Sequence, residues 1–274
     1  MSDRQVFQFA ARTDTGLIRE HNEDALAVDP DLGFAILADG MGGYNAGEVA
    51  SRIAVEVVQD VLVHGIRELD TGARPDNLLA VKTLLIDAVE AANAAVLEAA
   101  GANPGQAGMG TTLVAAVFRT NRVFFAHVGD SRLYRYRNDL LQQLTRDHTL
   151  VQEEVDAGLL KPEEAVRHPH RNLLTRAVGI SPHVEVAAAR HLTRAGDLYL
   201  LCSDGLTDMV AHDQLRHLVQ LHDKQLDDMA TSMVDAANAN GGADNVSVVV
   251  LCPSIEGASE KGTPAVLPWS GNGA

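Results

Sequence analysis

The order of apolar patterns in this 274-residue chain predicts an α+β fold, with antiparallel sheets covered by helices. Three observations carry it. Short β-type runs stand before, between and after paired helical patterns, without the strict strand-helix alternation that a doubly wound parallel sheet requires. The apolar fraction of 46% is that of a globular chain long enough to bury a sizeable core. Four apolar runs meet an aspartate beside a small or polar residue, so strand interiors carry packing and strand ends carry polar chemistry.

From the N terminus, strands are expected at 6–11, 25–28 and 34–38, where aromatic, β-branched and alanine residues alternate or run together. A helix follows over about 46–63, with Val49, Ile53, Val57 and Val61 marking one face at i, i+4 spacing. A second covers about 76–99, where Leu78, Leu79, Leu85, Val89 and Val96 recur among alanines. Strands at 112–118, 123–128, 133–137, 184–188 and 198–202 come next. Helices near 211–221 and 226–240 then precede a last strand at 246–251. The segment 150–174 stands apart: it is polar, broken by Gly158, Pro162 and Pro169, and carries Glu153, Glu154, Glu163 and Glu164. Two readings fit it, a mobile surface insertion that tunes substrate access or an exposed helical hairpin.

One domain is expected over 1–253, with a disordered tail at 254–274 where Gly, Ser, Pro and Ala replace apolar periodicity. Lys and Arg number 22 against 37 Asp and Glu, a formal net charge of −15. That charge repels nucleic acid and anionic membrane, and an aromatic fraction of 4% leaves little for base stacking. Any phosphorylated substrate must therefore meet local cations. Cys202 and Cys252 sit inside apolar runs and read as reduced, structural residues. No secretory-type opening and no membrane-length apolar stretch occur, so a soluble cytoplasmic monomer is the expectation. Gly-Lys-Ser and Gly-Lys-Thr are absent, which argues against a nucleotide triphosphatase.

Asp39, Asp130, Asp204 and Asp244 are the strand-end aspartates. Rigid backbone holds such a carboxylate while it projects from the sheet end, where a hard-cation site can be built. Any one of them alone is ordinary turn chemistry. The string Asp39-Gly40-Met41-Gly42-Gly43 adds glycines that let main-chain carbonyls approach a ligand. Arg19-Glu20-His21-Asn22-Glu23-Asp24 adds an arginine suited to a phosphate, with carboxylates close by in sequence.

Those two strings, with Gly110-Thr111-Thr112, Gly129-Asp130-Ser131-Arg132, Leu174-Thr175-Arg176-Ala177-Val178-Gly179, Ser203-Asp204-Gly205-Leu206 and Asp244-Asn245, resemble the successive motifs of metal-dependent protein phosphatases of the PP2C type, in their bacterial branch. The likeness runs in order over about residues 8–252. It implies a β-sandwich of two antiparallel sheets flanked by paired helices, in four layers α-β-β-α, with Mn2+ or Mg2+ at one end. By resemblance, Asp39 bridges two core ions, Gly40 offers its carbonyl, and Asp204 and Asp244 complete the first shell. Asp130, with Asp204, matches the ligands of a third, weaker ion. Arg19 matches the phosphate-binding arginine, Glu23 orders water at the metals, and Asp24 and Asn245 lie behind the ligands. The reaction implied is hydrolysis of phosphoserine or phosphothreonine on proteins, opposing bacterial Ser/Thr kinases and acting on their substrates.

One position departs from many eukaryotic relatives, which carry a histidine after Asp-Gly as the leaving-group acid; this chain has Met41. His148, in Asp147-His148-Thr149, reads as a structural histidine. Two other functions stay open on sequence: a catalytically weak module that binds phosphoproteins, and a hydrolase of small phosphate esters. The retention of all four aspartates weighs against the first.

Overall fold

The protein is described by a computed structural model covering residues 7–43, 46–72, 78–119, 121–166, 168–222 and 225–253. The expected tail at 254–274 lies outside these residues.

Two antiparallel sheets form the centre. One takes the strand order β1 (Phe7–Asp14), β11 (Val246–Pro253), β10 (Leu198–Cys202), β7 (Arg132–Arg137), β8 (Leu140–Gln143). The other runs β2 (Asp24–Asp29), β3 (Phe34–Met41), β5 (Leu113–Arg119), β6 (Arg122–Val128), β9 (Ala187–Leu192), with the short β4 (Gly110–Thr111) beside β3. Helices α1 (Ala46–Thr71) and α2 (Leu78–Ala102) cover the second sheet. Helices α6 (His212–His222) and α7 (Leu226–Ala239) cover the first. The four layers expected from the resemblance are those observed.

Three apolar clusters explain why the central strands read as continuous apolar runs rather than alternating ones. In β3, Phe34, Ile36 and Ala38 face α1 and α2, whereas Ala35 and Leu37 face the opposing sheet. In β10, Leu198, Leu200 and Cys202 face α6 and α7, and Tyr199 and Leu201 point between the sheets. Both faces of these strands are buried, so the period of two survives only as a choice of which cluster each side chain joins. Cys202 and Cys252 are buried, and burial pushes the Cys202 thiol up to about 12.

Several expectations shift in detail. The deepest face of α1 is Ala50, Ala54, Val58, Leu62 and Ile66, one position beyond the stripe read from sequence. Small alanines let the helix approach the sheet, while Val49, Ile53, Val57 and Val61 flank that contact half-buried. Leu79, counted in the apolar stripe of α2, points to solvent. The strand expected at 184–188 is displaced to Ala187–Leu192, and β8 was not expected. Within 150–174 the chain forms two short helices, α3 (Leu150–Asp156) and α4 (Pro162–Ala165).

Candidate active site

Every strand-end aspartate lies at the same end of the sandwich. Asp24 opens β2 directly opposite Asp39 near the end of β3. Asp130 follows β6, Asp204 begins the one-turn helix α5 (Asp204–Thr207) straight after β10, and Asp244 immediately precedes β11. Antiparallel pairing brings these ends together, since Cys202 at the close of β10 sits opposite both Val248 and Arg132. Asp39 consequently feels the charges of Asp24, Asp204, Asp130 and Asp244.

Crowding of like charges sets the electrostatics. Desolvation, then Asp24 and Asp204, raises the Asp39 carboxyl well above the usual range. Desolvation and Asp204 push Asp130 up to about 8, and desolvation with Asp208 and Asp244 pushes Asp204 up to about 6. Asp24 is raised to about 7, chiefly by desolvation. Asp39 and Asp204 each stand among the causes of the other's shift. So many adjacent carboxylates call for a compensating positive charge.

Neutral neighbours hold the carboxylates in place. The Asp39 amide donates to Thr112 Oγ1 at 3.0 Å, and Thr112 Oγ1 lies 2.7 Å from Ser131 Oγ, next to Asp130. Ser203 Oγ donates to Asp24 Oδ2 at 2.9 Å. Asp244 Oδ1 accepts from the Asn245 amide at 2.8 Å. Thr112 and Ser203 belong to strings visible in the sequence, yet their contacts join residues far apart along the chain.

Arg19, Glu23 and Asn245 form the adjoining wall. Asn245 Nδ2 donates to the carbonyls of Thr15 and His21, both at 2.9 Å, and its Oδ1 accepts from the Glu23 amide at 2.8 Å. Those bonds tie the loop bearing Arg19 to the start of β11. Arg19 Nη2 donates to Asp244 Oδ2 at 2.7 Å. Although desolvation lowers its pKa, the charge and hydrogen bond of Asp244 win, so the guanidinium is raised. Glu23, raised mainly by desolvation, lies against Gly47 at the start of α1, where a Cβ on that glycine would sit 2.7 Å from Glu23 Oε1. Gly40 packs so closely there that a Cβ would sit 2.1 Å from the Gly47 carbonyl oxygen.

The chemistry of these residues suits a hard cation. The donors are all oxygen, the preference of Mg2+ and Mn2+. Asp24 Oδ1 is buried with no hydrogen-bond partner. The side chains do not by themselves close a shell of three or more metal-ligating groups among the described residues. The set fits a hard divalent cation completed by a main-chain carbonyl and water.

Met41 sits beside Gly110 with Ile180 against the same glycine, an apolar contact without a titratable proton. On the far side, Arg171 and Asn172 both donate to Asp208 Oδ2, at 3.1 and 2.9 Å, one turn beyond Asp204.

Residues 19–245 match the family model described as Protein phosphatase 2C. The chain belongs to that family. The serine/threonine protein phosphatase PstP of Mycobacterium tuberculosis is 42% identical over 245 residues, covering 89% of this chain and 45% of that protein. This chain therefore spans about half the length of that curated relative. The serine/threonine phosphatase stp of Listeria innocua is 37% identical over 243 residues, covering 88% of this chain and 93% of that protein. A solved structure of the PstP catalytic domain in complex with two manganese ions is 39% identical, with a TM-score of 0.77, covering 91% of this chain and 99% of that one. PP2C membership agrees with the architecture and with the matched segment, which begins at Arg19 and ends at Asn245. Among the described residues, no helix is long and apolar enough to cross a membrane.

Proposed function

We propose that this PP2C-family chain hydrolyses phosphoserine and phosphothreonine esters on proteins in a reaction that depends on Mn2+ or Mg2+. The observation that carries the proposal is the convergence of Asp24, Asp39, Asp130, Asp204 and Asp244 at one sheet end beside Arg19. The names of its relatives and the two manganese ions held by the PstP catalytic domain support it.

A pair of hard cations, when bound, neutralises the dianionic ester and acidifies a water for in-line attack on phosphorus. In our assignment Asp39, the Gly40 carbonyl, Asp204 and Asp244 would hold the two core ions, and Asp130 with Asp204 would hold a third, weaker one. Arg19 holds the phosphoryl oxygens as charge moves toward the leaving oxygen. Glu23, lying against Gly47, orients water. Asp24 supports Asp39 from the adjoining strand, and Asn245 holds the Arg19 loop in register. Met41 has no proton to give, so no side chain at that position serves the leaving alkoxide.

We assign as substrates proteins phosphorylated by Ser/Thr kinases. The buried, free thiol of Cys202 supports a reducing, cytoplasmic setting, and the charge of −15 disfavours self-association. Comparing kcat/KM on a phosphothreonine peptide, p-nitrophenyl phosphate and sugar phosphates, each with Mn2+, tests the substrate class. Preference for the peptide is expected; equal or better turnover of sugar phosphates would contradict a protein substrate.

A further inference from the structure

His148 reads on sequence as a structural histidine, but its contacts single out one loop of the site. Gly129, with φ +98, is the link between β6 and Asp130. Both of its main-chain polar groups go to His148: the Gly129 amide donates to His148 Nδ1 at 3.1 Å, and the His148 amide donates to the Gly129 carbonyl at 3.0 Å. The first bond fixes the tautomer, because a ring nitrogen that accepts carries no proton. On the opposite side, a Cβ on Gly129 would lie 2.7 Å from the Thr112 side chain, so the glycine is held between Thr112 and His148 with no room for another residue.

The imidazole is itself immobilised. Its ring stacks on that of His127, with centroids 4.8 Å apart and planes 13° from parallel, and both rings are buried. His127 Nε2 lies 2.9 Å from the Arg146 carbonyl and is the donor to it. Asp147, preceding His148, takes Arg132 bidentately at 2.7 to 3.1 Å. One residue later, Thr149 caps α3 by accepting from the Gln152 amide at 3.3 Å.

His148 and the two residues after it also close the root of the 150–174 segment. The Thr175 amide donates to the His148 carbonyl at 2.9 Å, Thr149 pairs with Leu174, and the Leu150 amide donates to the Leu173 carbonyl at 2.9 Å. The root of the segment and the turn that presents Asp130 therefore share a single anchor.

The geometry points to His148 as a positioning residue that fixes Asp130 through Gly129 and couples that carboxylate to the 150–174 segment. The weaker cation position assigned to Asp130 would then depend on the same grip. The part concerning the cation rests on the function proposed above; the grip on Gly129 does not.

The test uses His148→Leu, which keeps bulk but removes the acceptor, and His148→Asn, whose side-chain oxygen replaces Nδ1 as acceptor. Two readouts are made on the full chain: hydrogen exchange at the Gly129 amide, and calorimetric titration with Mn2+. Leucine is expected to speed Gly129 exchange by roughly tenfold, the equivalent of one hydrogen bond, and to weaken the lower-affinity Mn2+ phase. Asparagine is expected to restore both toward wild type. Equal behaviour of the two variants, or unchanged Gly129 exchange in His148→Leu, would overturn the positioning role. If wild type binds no Mn2+ and hydrolyses no phosphoester, the proposed function fails, and the exchange contrast still decides the grip on Gly129. If His148→Leu does not fold, His148→Asn decides: Gly129 exchange within about threefold of wild type supports the role, and exchange tenfold faster overturns it.

Discussion

Arg19 and Asp244 meet in a 2.7 Å ion pair, Nη2 to Oδ2, with both side chains partly open to solvent. The residue assigned to phosphate and a residue assigned to a cation are thus held side by side. Such an arrangement keeps the guanidinium extended toward the site and spares it reorganisation on binding.

Arg19→Lys keeps the charge but loses the planar fork that grips two phosphoryl oxygens. We expect kcat/KM on a phosphothreonine peptide to fall by roughly tenfold, and by about a hundredfold for Arg19→Ala. Peptide kinetics at saturating Mn2+ check this; an Arg19→Lys enzyme equal to wild type would remove Arg19 from the phosphate site.

The raised carboxyls set a pH dependence. A carboxyl whose folded pKa exceeds its unfolded value, about 4 for Asp, favours folding at low pH, and that contribution is lost as pH climbs through the folded value. For Asp204, Asp24 and Asp130 the loss spans about 4 to about 6, 7 and 8 respectively. Without divalent cation, the melting temperature should fall between pH 6 and 8.5. Mn2+ should reverse that fall, and its affinity should rise with pH as protons are displaced. Scanning calorimetry with EDTA or Mn2+ measures it, and a cation-free melting temperature that is flat or rising over the range would count against the crowded cluster.

Gly40→Ala places a methyl 2.1 Å from the Gly47 carbonyl oxygen and 2.7 Å from that of Glu23. Relief requires α1 or the Glu23 segment to move, so a stability loss of about 2 kcal/mol or more is expected, with activity falling further. Thermal unfolding and p-nitrophenyl phosphate turnover report the two effects; a variant as stable as wild type would mean that the close approach is not a constraint.

Asn245→Asp keeps the oxygen that receives the Glu23 amide but aims a carboxylate at the carbonyls of Thr15 and His21. Two donors are lost and two carbonyls are stranded, for a cost of about 2 kcal/mol. Because these bonds hold the Arg19 loop, KM for phosphopeptide should rise more than kcat falls. A variant with unaltered KM and unaltered melting temperature would show that the loop is held by other contacts.

Much of this was legible in the sequence because the apolar runs and the aspartates ending them are local signals. Asp39, Asp130, Asp204 and Asp244 stand where strands begin or end, and antiparallel pairing within each sheet together with the packing of the two sheets assembles them. β8 was hidden because its hairpin turns on Asn138 and Asp139, both with positive φ, without the glycine that usually marks such a turn. The shifted β9 is an edge strand pairing only with β6, and its exposed Arg190 and Leu192 blur the alternation. Contacts such as Ser203 with Asp24, or His148 with Gly129, join residues that no local pattern relates. The role of Asn245 as a brace for the Arg19 loop becomes concrete only through its three bonded partners.

The most direct measurement is paired calorimetry and phosphopeptide hydrolysis on wild type, Asp39→Asn and Asp204→Asn. Wild type should bind at least two Mn2+ and release phosphate only when they are present; each variant should lose Mn2+ binding and hydrolysis together while remaining folded. Undiminished hydrolysis by Asp39→Asn, or hydrolysis by wild type in EDTA, would contradict the assignment of these strand-end carboxylates to a catalytic cation centre.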